Sequence, residues 1–266
     1  MSIKYFLLFM LTSSILAFSF AGDRLDPAEE VKKQKKLLLE MMGILPGDVI
    51  VEEGKEIFHK EGPNGKSCAS CHGKDGKGEK LPLVGAYATM PKYYKDIDMV
   101  ADLDLRVKSC MEKYTGYNPE ELKGKKGRKI IVPLATYVAS LSNGMKFNVQ
   151  PKHPKEKEMY KKGEELWYAR VGKMDFSCAM CHDKYGGYRI RLQTLAEPKK
   201  SKVMRYWPAY RYSKDKMWTM EDRIRGCYKQ IRVTKPPFYH WAHVALQMYM
   251  AVNSNGGVVE VPGFVR

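Results

Sequence analysis

Beyond residue 20 the chain has no apolar run long enough to span a bilayer, which excludes a polytopic membrane protein. Acidic residues are scarce: 30 Asp and Glu face 46 Lys and Arg, for a formal charge of +16. So basic a chain raises nucleic acid as a partner, with small anions and acidic proteins as the alternatives. The cysteines lack the arrangement of the common cysteine scaffolds. Six of them in an oxidising compartment would suggest three disulfides, yet four stand in two C-x-x-C pairs. A zinc site wants such pairs about 15–20 residues apart. Here Cys68 and Cys178 open pairs that lie 110 positions apart.

What is present first is an export signal. Lys4 precedes the apolar run YFLLFMLTSSILAFSF, which closes on Ser19-Phe20-Ala21, a small-x-small cleavage pattern. Residues 1–21 read as a secretory signal peptide, too short to be a membrane span. The expectation is a soluble, periplasmic protein. Export removes nucleic acid from the partners and leaves anionic small molecules, acidic proteins and anionic cofactor groups. Many lysines, as in VKKQKK or LKGKKGRK, read simply as solvated surface.

Both cysteine pairs are followed by histidine: Cys68-Ala-Ser-Cys71-His72 and Cys178-Ala-Met-Cys181-His182. C-x-x-C-H is the attachment site of c-type haem. Two thiols three apart on a turn reach the two vinyl groups, and the adjacent histidine lies under the iron. A thioredoxin-like redox motif does not need that histidine. Two copies predict two covalent haems, with Cys68, Cys71, Cys178 and Cys181 as attachment points and His72 and His182 as proximal ligands.

The duplication extends beyond the motif. GKEIF (54–58) and GEELW (163–167) each resemble the N-terminal helix of a class I cytochrome c. RVKSCMEK (106–113) matches RIRGCYKQ (223–230), and both halves close on a helical stretch ending in Ser-Asn-Gly. The expected fold is all-α: two tandem class I cytochrome c-like domains, 22–149 with haem 1 and 150–266 with haem 2. QPKHPKEKE (150–158) reads as the linker. An N-terminal helical extension precedes the first domain, capped by Asp26, with Pro27 in its first turn and Gly43 at its end. It is expected to pack on that first domain.

Each iron has one ligand assigned and one open. Methionine is the usual sixth ligand of electron carriers, but Met90, Met99, Met204, Met217 and Met220 do not recur at equivalent positions. His59, His153, His240 and His243 are lone histidines in helices, linker and loop, where packing or exposure is the commoner role. What does recur is a cysteine. Cys110 follows His72 by 38 residues, and Cys227 follows His182 by 45. Arg106 and Arg223 stand four positions earlier, on the same helix face, where a guanidinium favours thiolate. A Cys110–Cys227 disulfide explains the leftover pair equally.

With WPAYR (207–211) and RIRGCYKQ, the two C-x-x-C-H halves resemble the dihaem SoxA subunit of the SoxAX cytochrome, a thiosulfate-oxidising enzyme of the bacterial periplasm. The likeness runs over essentially the whole chain after the signal peptide. It implies that Cys227 ligates the active-site haem and is the catalytic residue, that Arg223 belongs to the substrate cleft, and that Cys110 ligates haem 1. It further implies a haem-dependent L-cysteine S-thiosulfotransferase. Thiosulfate would be joined to a cysteine of a SoxYZ-type carrier, and the electrons would pass to a SoxX-type monohaem subunit. A dihaem electron carrier without its own substrate, and a thiosulfate dehydrogenase forming tetrathionate, remain open as alternatives. No equivalent of WPAYR is expected before Cys110, and Arg225, Lys229 and Arg232 are candidates for further positive charge around Cys227.

Overall fold

A computed structural model describes residues 27–190 and 193–265. The signal peptide and the Asp26 cap lie outside them. Helix α1 (Pro27–Met42) ends as its glycine predicts: Gly43 takes φ 70°, and its N–H returns to the Leu39 carbonyl at 2.9 Å.

Two series of elements then follow the same order. The first runs α2 (Pro46–His59), α3 (Cys68–His72), the hairpin β1 (Lys92–Tyr94) and β2 (Met99–Ala101), α4 (Leu103–Tyr114) and α5 (Gly124–Ser140). The second runs α6 (Pro154–Tyr168), α7 (Cys178–His182), β3 (Arg189–Ile190), β4 (Gln193–Thr194) and α8 (Pro198–Ser201). It closes with β5 (Ala209–Arg211), β6 (Lys216–Trp218), α9 (Met220–Gln230), α10 (Trp241–Asn253) and β7 (Gly263–Val265). Helices dominate, as the all-α reading expects. The strands are additions, two or three residues long, too short for apolar alternation to announce them.

The opening helix of each series lies directly on the closing one, and a glycine permits it. A Cβ on Gly54 would stand 2.1 Å from the Pro133 carbonyl oxygen, and one on Gly163 would stand 2.0 Å from that of Ala245. Only a bare Cα allows α2 to cross α5, and α6 to cross α10, this closely. The repeated motifs GKEIF and GEELW are therefore helix-crossing motifs.

The Ser-Asn-Gly repeats clasp the halves together. Asn143 Nδ2 donates to the Val261 carbonyl at 2.6 Å, and its Oδ1 accepts from Val261 N at 2.7 Å. Asn255 does the same to Val149 of the other half, at 3.0 and 2.7 Å. Each half's asparagine thus grips the tail of the other. Buried side chains from both series form one continuous core, including Phe58, Leu134, Trp167 and Leu246.

Two expectations about organisation are corrected. The linker extends only to His153. From Pro154 onward the lysine-rich segment is helix, because His153 and Glu156 form a reciprocal cap around a proline at the first helical position. Glu156 also accepts from Tyr93 N at 2.7 Å, tying α6 to the first hairpin. Helix α1 does not sit on the first half alone. Val31 and Leu38 pack on a cluster of Val132, Tyr210, Met217 and Phe264, so its main support is the β6–β5–β7 sheet of the second half.

Candidate haem centres and the paired cysteines

Helices α3 and α7 are single turns, each started by a serine. Ser67 Oγ accepts from Ser70 N at 3.2 Å, and Ser177 Oγ accepts from Met180 N at 3.1 Å. The histidine closing each turn has its ring fixed. His72 Nδ1 donates to the Leu81 carbonyl at 2.8 Å, and His182 Nδ1 donates to that of Ala196 at 2.6 Å. With Nδ1 committed, Nε2 is left as the metal-facing nitrogen, which is how a ligating histidine is oriented from behind. An aromatic–histidine–tyrosine arrangement backs each site. Phe58 lies 6.5 Å from the His72 ring and 5.2 Å from Tyr137, while Trp167 lies 5.5 Å from His182 and 5.6 Å from Tyr249.

The residues fit the group that the motif implies. A cavity of about 220 Å³ opens between His72 and Cys110, floored by Cys68 and walled by Leu134 and Val138. That is a largely apolar space with one histidine and the helix-borne cysteine Cys110 in its lining. In the second half His182 and Cys227 lie close enough to interact electrostatically, and Cys178 and Cys181 lie close enough to feel the charge of Cys227. All six cysteines are free. Cys110 and Cys227 belong to different sites and are not bonded to each other.

The other candidate ligands go elsewhere. His59 spends both ring nitrogens on the Lys55 and Lys74 carbonyls, at 2.8 and 2.7 Å. His153 stacks on Tyr93 at 3.8 Å and caps α6, and His240 caps α10. His243 is fully buried, with Nδ1 2.7 Å from Glu221. Met99 is exposed, and Met204, Met217 and Met220 are buried core. Met90 does line the first cavity, alongside Cys110.

Residues 90–110 and 207–227 align without a gap, 117 positions apart. Met90-Pro91 and Trp207-Pro208 are both cis, Asp98 and Asp215 take φ 49° and 50°, and Asp102 and Thr219 cap the two cysteine helices. WPAYR therefore has a counterpart before Cys110, MPKYY at 90–94, contrary to expectation. Sequence comparison misses it because the two pentapeptides share only the proline and one tyrosine.

Electrostatics separates the two cysteines that geometry pairs. Burial raises the Cys110 thiol; Arg106 opposes this, and Asp96 adds to the rise. Asp96 takes both its carboxylate oxygens to Arg106 Nη1 at 2.8 Å, which spends that guanidinium. Burial acts on Cys227 as well, but Arg223, His182 and Arg211 together overcome it and bring the thiol from 9.0 to about 6. Such surroundings favour the thiolate of Cys227 over its thiol. Cys68 and Cys178 are pushed up to about 12, chiefly by burial.

Of the other basic residues near Cys227, Arg225 donates to the Pro236 carbonyl and lies 4.0 Å over the Phe238 ring, while Lys229 and Arg232 are exposed. Arg211 is the functional candidate that a search for charge along the cysteine helix passes over. It is 6% exposed and 4.9 Å over the Trp218 ring. Its place in a conspicuous pentapeptide was the available signal.

A largely helical fold with C-x-x-C-H turns, carbonyl-anchored histidines and a cavity facing them defines a c-type cytochrome. Residues 53–147 match the family model described as SoxA/TsdA, cytochrome c domain. Two proteins of Hydrogenobacter thermophilus, each named L-cysteine S-thiosulfotransferase subunit SoxA, are similar to this chain. One is 64% identical over 91% of this chain and 90% of its own length, the other 60% identical over 90% and 92%. The crystal structure of SoxXA from P. pantotrophus superposes with TM-score 0.72 at 26% identity, covering 83% of this chain and 79% of that one. The chain belongs to the SoxA family. No helix among the described residues is long and apolar enough to cross a membrane.

Proposed function

We propose that this chain is the haem-bearing subunit that joins thiosulfate to a cysteine of a SoxYZ-type carrier protein, with its active site at Cys227. The observation that carries the reading is the electrostatic environment of Cys227, a half-buried sulfur among the positive charges of Arg223 and Arg211 and beside His182. The family's name for its activity, L-cysteine S-thiosulfotransferase, supports it.

The duplicated elements are read as two tandem cytochrome c domains, 22–149 and 150–266, each holding one covalent haem. His72 and Cys110 would ligate the first iron, and His182 and Cys227 the second. A c-type haem supplies one-electron oxidation at each site. Arg223 meets the thiosulfate dianion, with its planar fork matched to an oxyanion. Cys227 holds sulfur in reach of the incoming carrier thiol. In the net reaction the carrier thiol loses its proton, its sulfur bonds to the terminal sulfur of thiosulfate, and two electrons leave. The product is a cysteine S-thiosulfonate. The electron acceptor is a SoxX-type monohaem cytochrome, and the compartment is the periplasm.

The test supplies thiosulfate with and without the carrier protein. S-thiosulfonate on the carrier, with no tetrathionate in its absence, is the expected result. Tetrathionate formed without any carrier would mean a thiosulfate dehydrogenase instead.

A further inference from the structure

The gapless register between residues 90–110 and 207–227 sets Arg211 against Tyr94. In the first half Tyr94 stacks under Arg106, whose Cζ lies 4.2 Å over the ring, and Arg106 is closed off by Asp96. At the register position of Asp96 the second half has Ser213, which carries no charge.

Arg211 is a buried cation whose Nε and Nη1 have no hydrogen-bond partner, and among the described residues it forms no ion pair with a carboxylate. Leaving a buried guanidinium unpaired costs several kcal/mol, so such a group points to an anion that completes it. Its neighbours are the ring of Trp218, which holds the guanidinium from one side, and the charges of Arg223 and Cys227. The equivalent of Trp218 in the first half is Ala101, so the aromatic support is missing there too.

We propose that Arg211 and Arg223 form a two-guanidinium clamp that receives the sulfonate end of a thiosulfate-type dianion beside the Cys227 sulfur. The first half, with Tyr94 and Asp96 at the positions of Arg211 and Ser213, has no such clamp. The inference rests on the thiosulfate reading above and adds its specificity determinant: two guanidinium groups, with a serine where the first half has an acid, select a dianion over a monoanion. Haem carboxylates offer the same oxyanion chemistry, so the experiment has to separate the two sources.

The test uses the full holo-protein with its cytochrome partner and carries Arg211→Tyr, the first half's own residue, and Arg211→Lys. Inorganic sulfate, a redox-inert dianion, is titrated while the spectrum of the second haem is followed, and the KM for thiosulfate is measured separately. The expected result is a sulfate affinity and a thiosulfate KM both worse by roughly ten- to a hundredfold in Arg211→Tyr, the worth of a charged hydrogen bond. Both haems should be retained, with partial recovery in Arg211→Lys. Loss of the second haem, or a moved potential with unchanged sulfate affinity, would give Arg211 to the haem carboxylates and overturn the clamp. Sulfate binding that depends on Arg211, in a protein that does not couple thiosulfate, would uphold the clamp and refute the reaction.

Discussion

Cys110 and Cys227 occupy one position in two copies of a segment, and the side chains around them decide what each can do. The pairing of cysteine with an arginine four residues earlier was legible, because a helix repeats its face at that spacing. That Arg106 is spent on Asp96 while Arg223 lowers the Cys227 thiol was not, since Asp96 reaches Arg106 from the hairpin turn. Arg223→Ala should raise the KM for thiosulfate by roughly ten- to a hundredfold, the worth of about 1.5–3 kcal/mol for a charged hydrogen bond. Optical spectra should show both haems in place, which separates lost substrate binding from lost assembly.

At the scale of elements, the helices were readable from caps, glycines and duplicated motifs. The contacts between them were not, because they join residues from about 80 to 118 positions apart. The Ser-Asn-Gly repeat was visible, but its partners Val261 and Val149 could only be seen in the fold. Asn143→Ala and Asn255→Ala each remove two hydrogen bonds and strand a backbone amide and carbonyl, so each should cost on the order of 1–3 kcal/mol. Denaturant unfolding of the two variants should show similar losses. Unequal losses would mean the clasps are not equivalent.

His243 links α10 to α9 through Glu221, and the two groups pull the pH dependence in opposite directions: Glu221, pushed up to about 8 chiefly by burial, gains stability as pH falls from 8 towards 4.5, while His243 loses it. Burial first, then Arg225, lowers its imidazole from 6.5 to about 4. A base held neutral by the fold contributes stability in full above its unfolded pKa and loses it as pH falls. The window is pH 6.5 down to about 4. Over that range His243 by itself should lose up to about 3 kcal/mol, because each tenfold change in proton affinity is worth about 1.4 kcal/mol, and Glu221 offsets part of that loss. Thermal unfolding should show a shallower acid-side slope in His243→Gln than in the parent protein. Parallel slopes would place the acid sensitivity elsewhere.

For the whole molecule, the sequence shows a duplicated, haem-motif chain of strong positive charge, and the fold shows two series joined through one core. The place of α1 was not legible, since an amphipathic helix declares that it packs but not against what. On the proposed function, a formal charge of +16 would steer the thiosulfate dianion toward the protein. Coupling rates should therefore fall as salt shortens the screening length to about 10 Å at 0.1 M. Stopped-flow rates indifferent to ionic strength would make that charge a solubility feature alone.

The two copies look alike, and only one is assigned chemistry. Steady-state coupling of thiosulfate to the carrier in Cys227→Ala and Cys110→Ala, with haem content measured on both, addresses that assignment directly. Cys227→Ala should retain two haems, show an altered spectrum at one, and lose coupling entirely. Cys110→Ala should alter the other haem and keep a substantial share of the rate. Equal losses in both variants, or near-full activity in Cys227→Ala, would contradict the placement of the active site at Cys227.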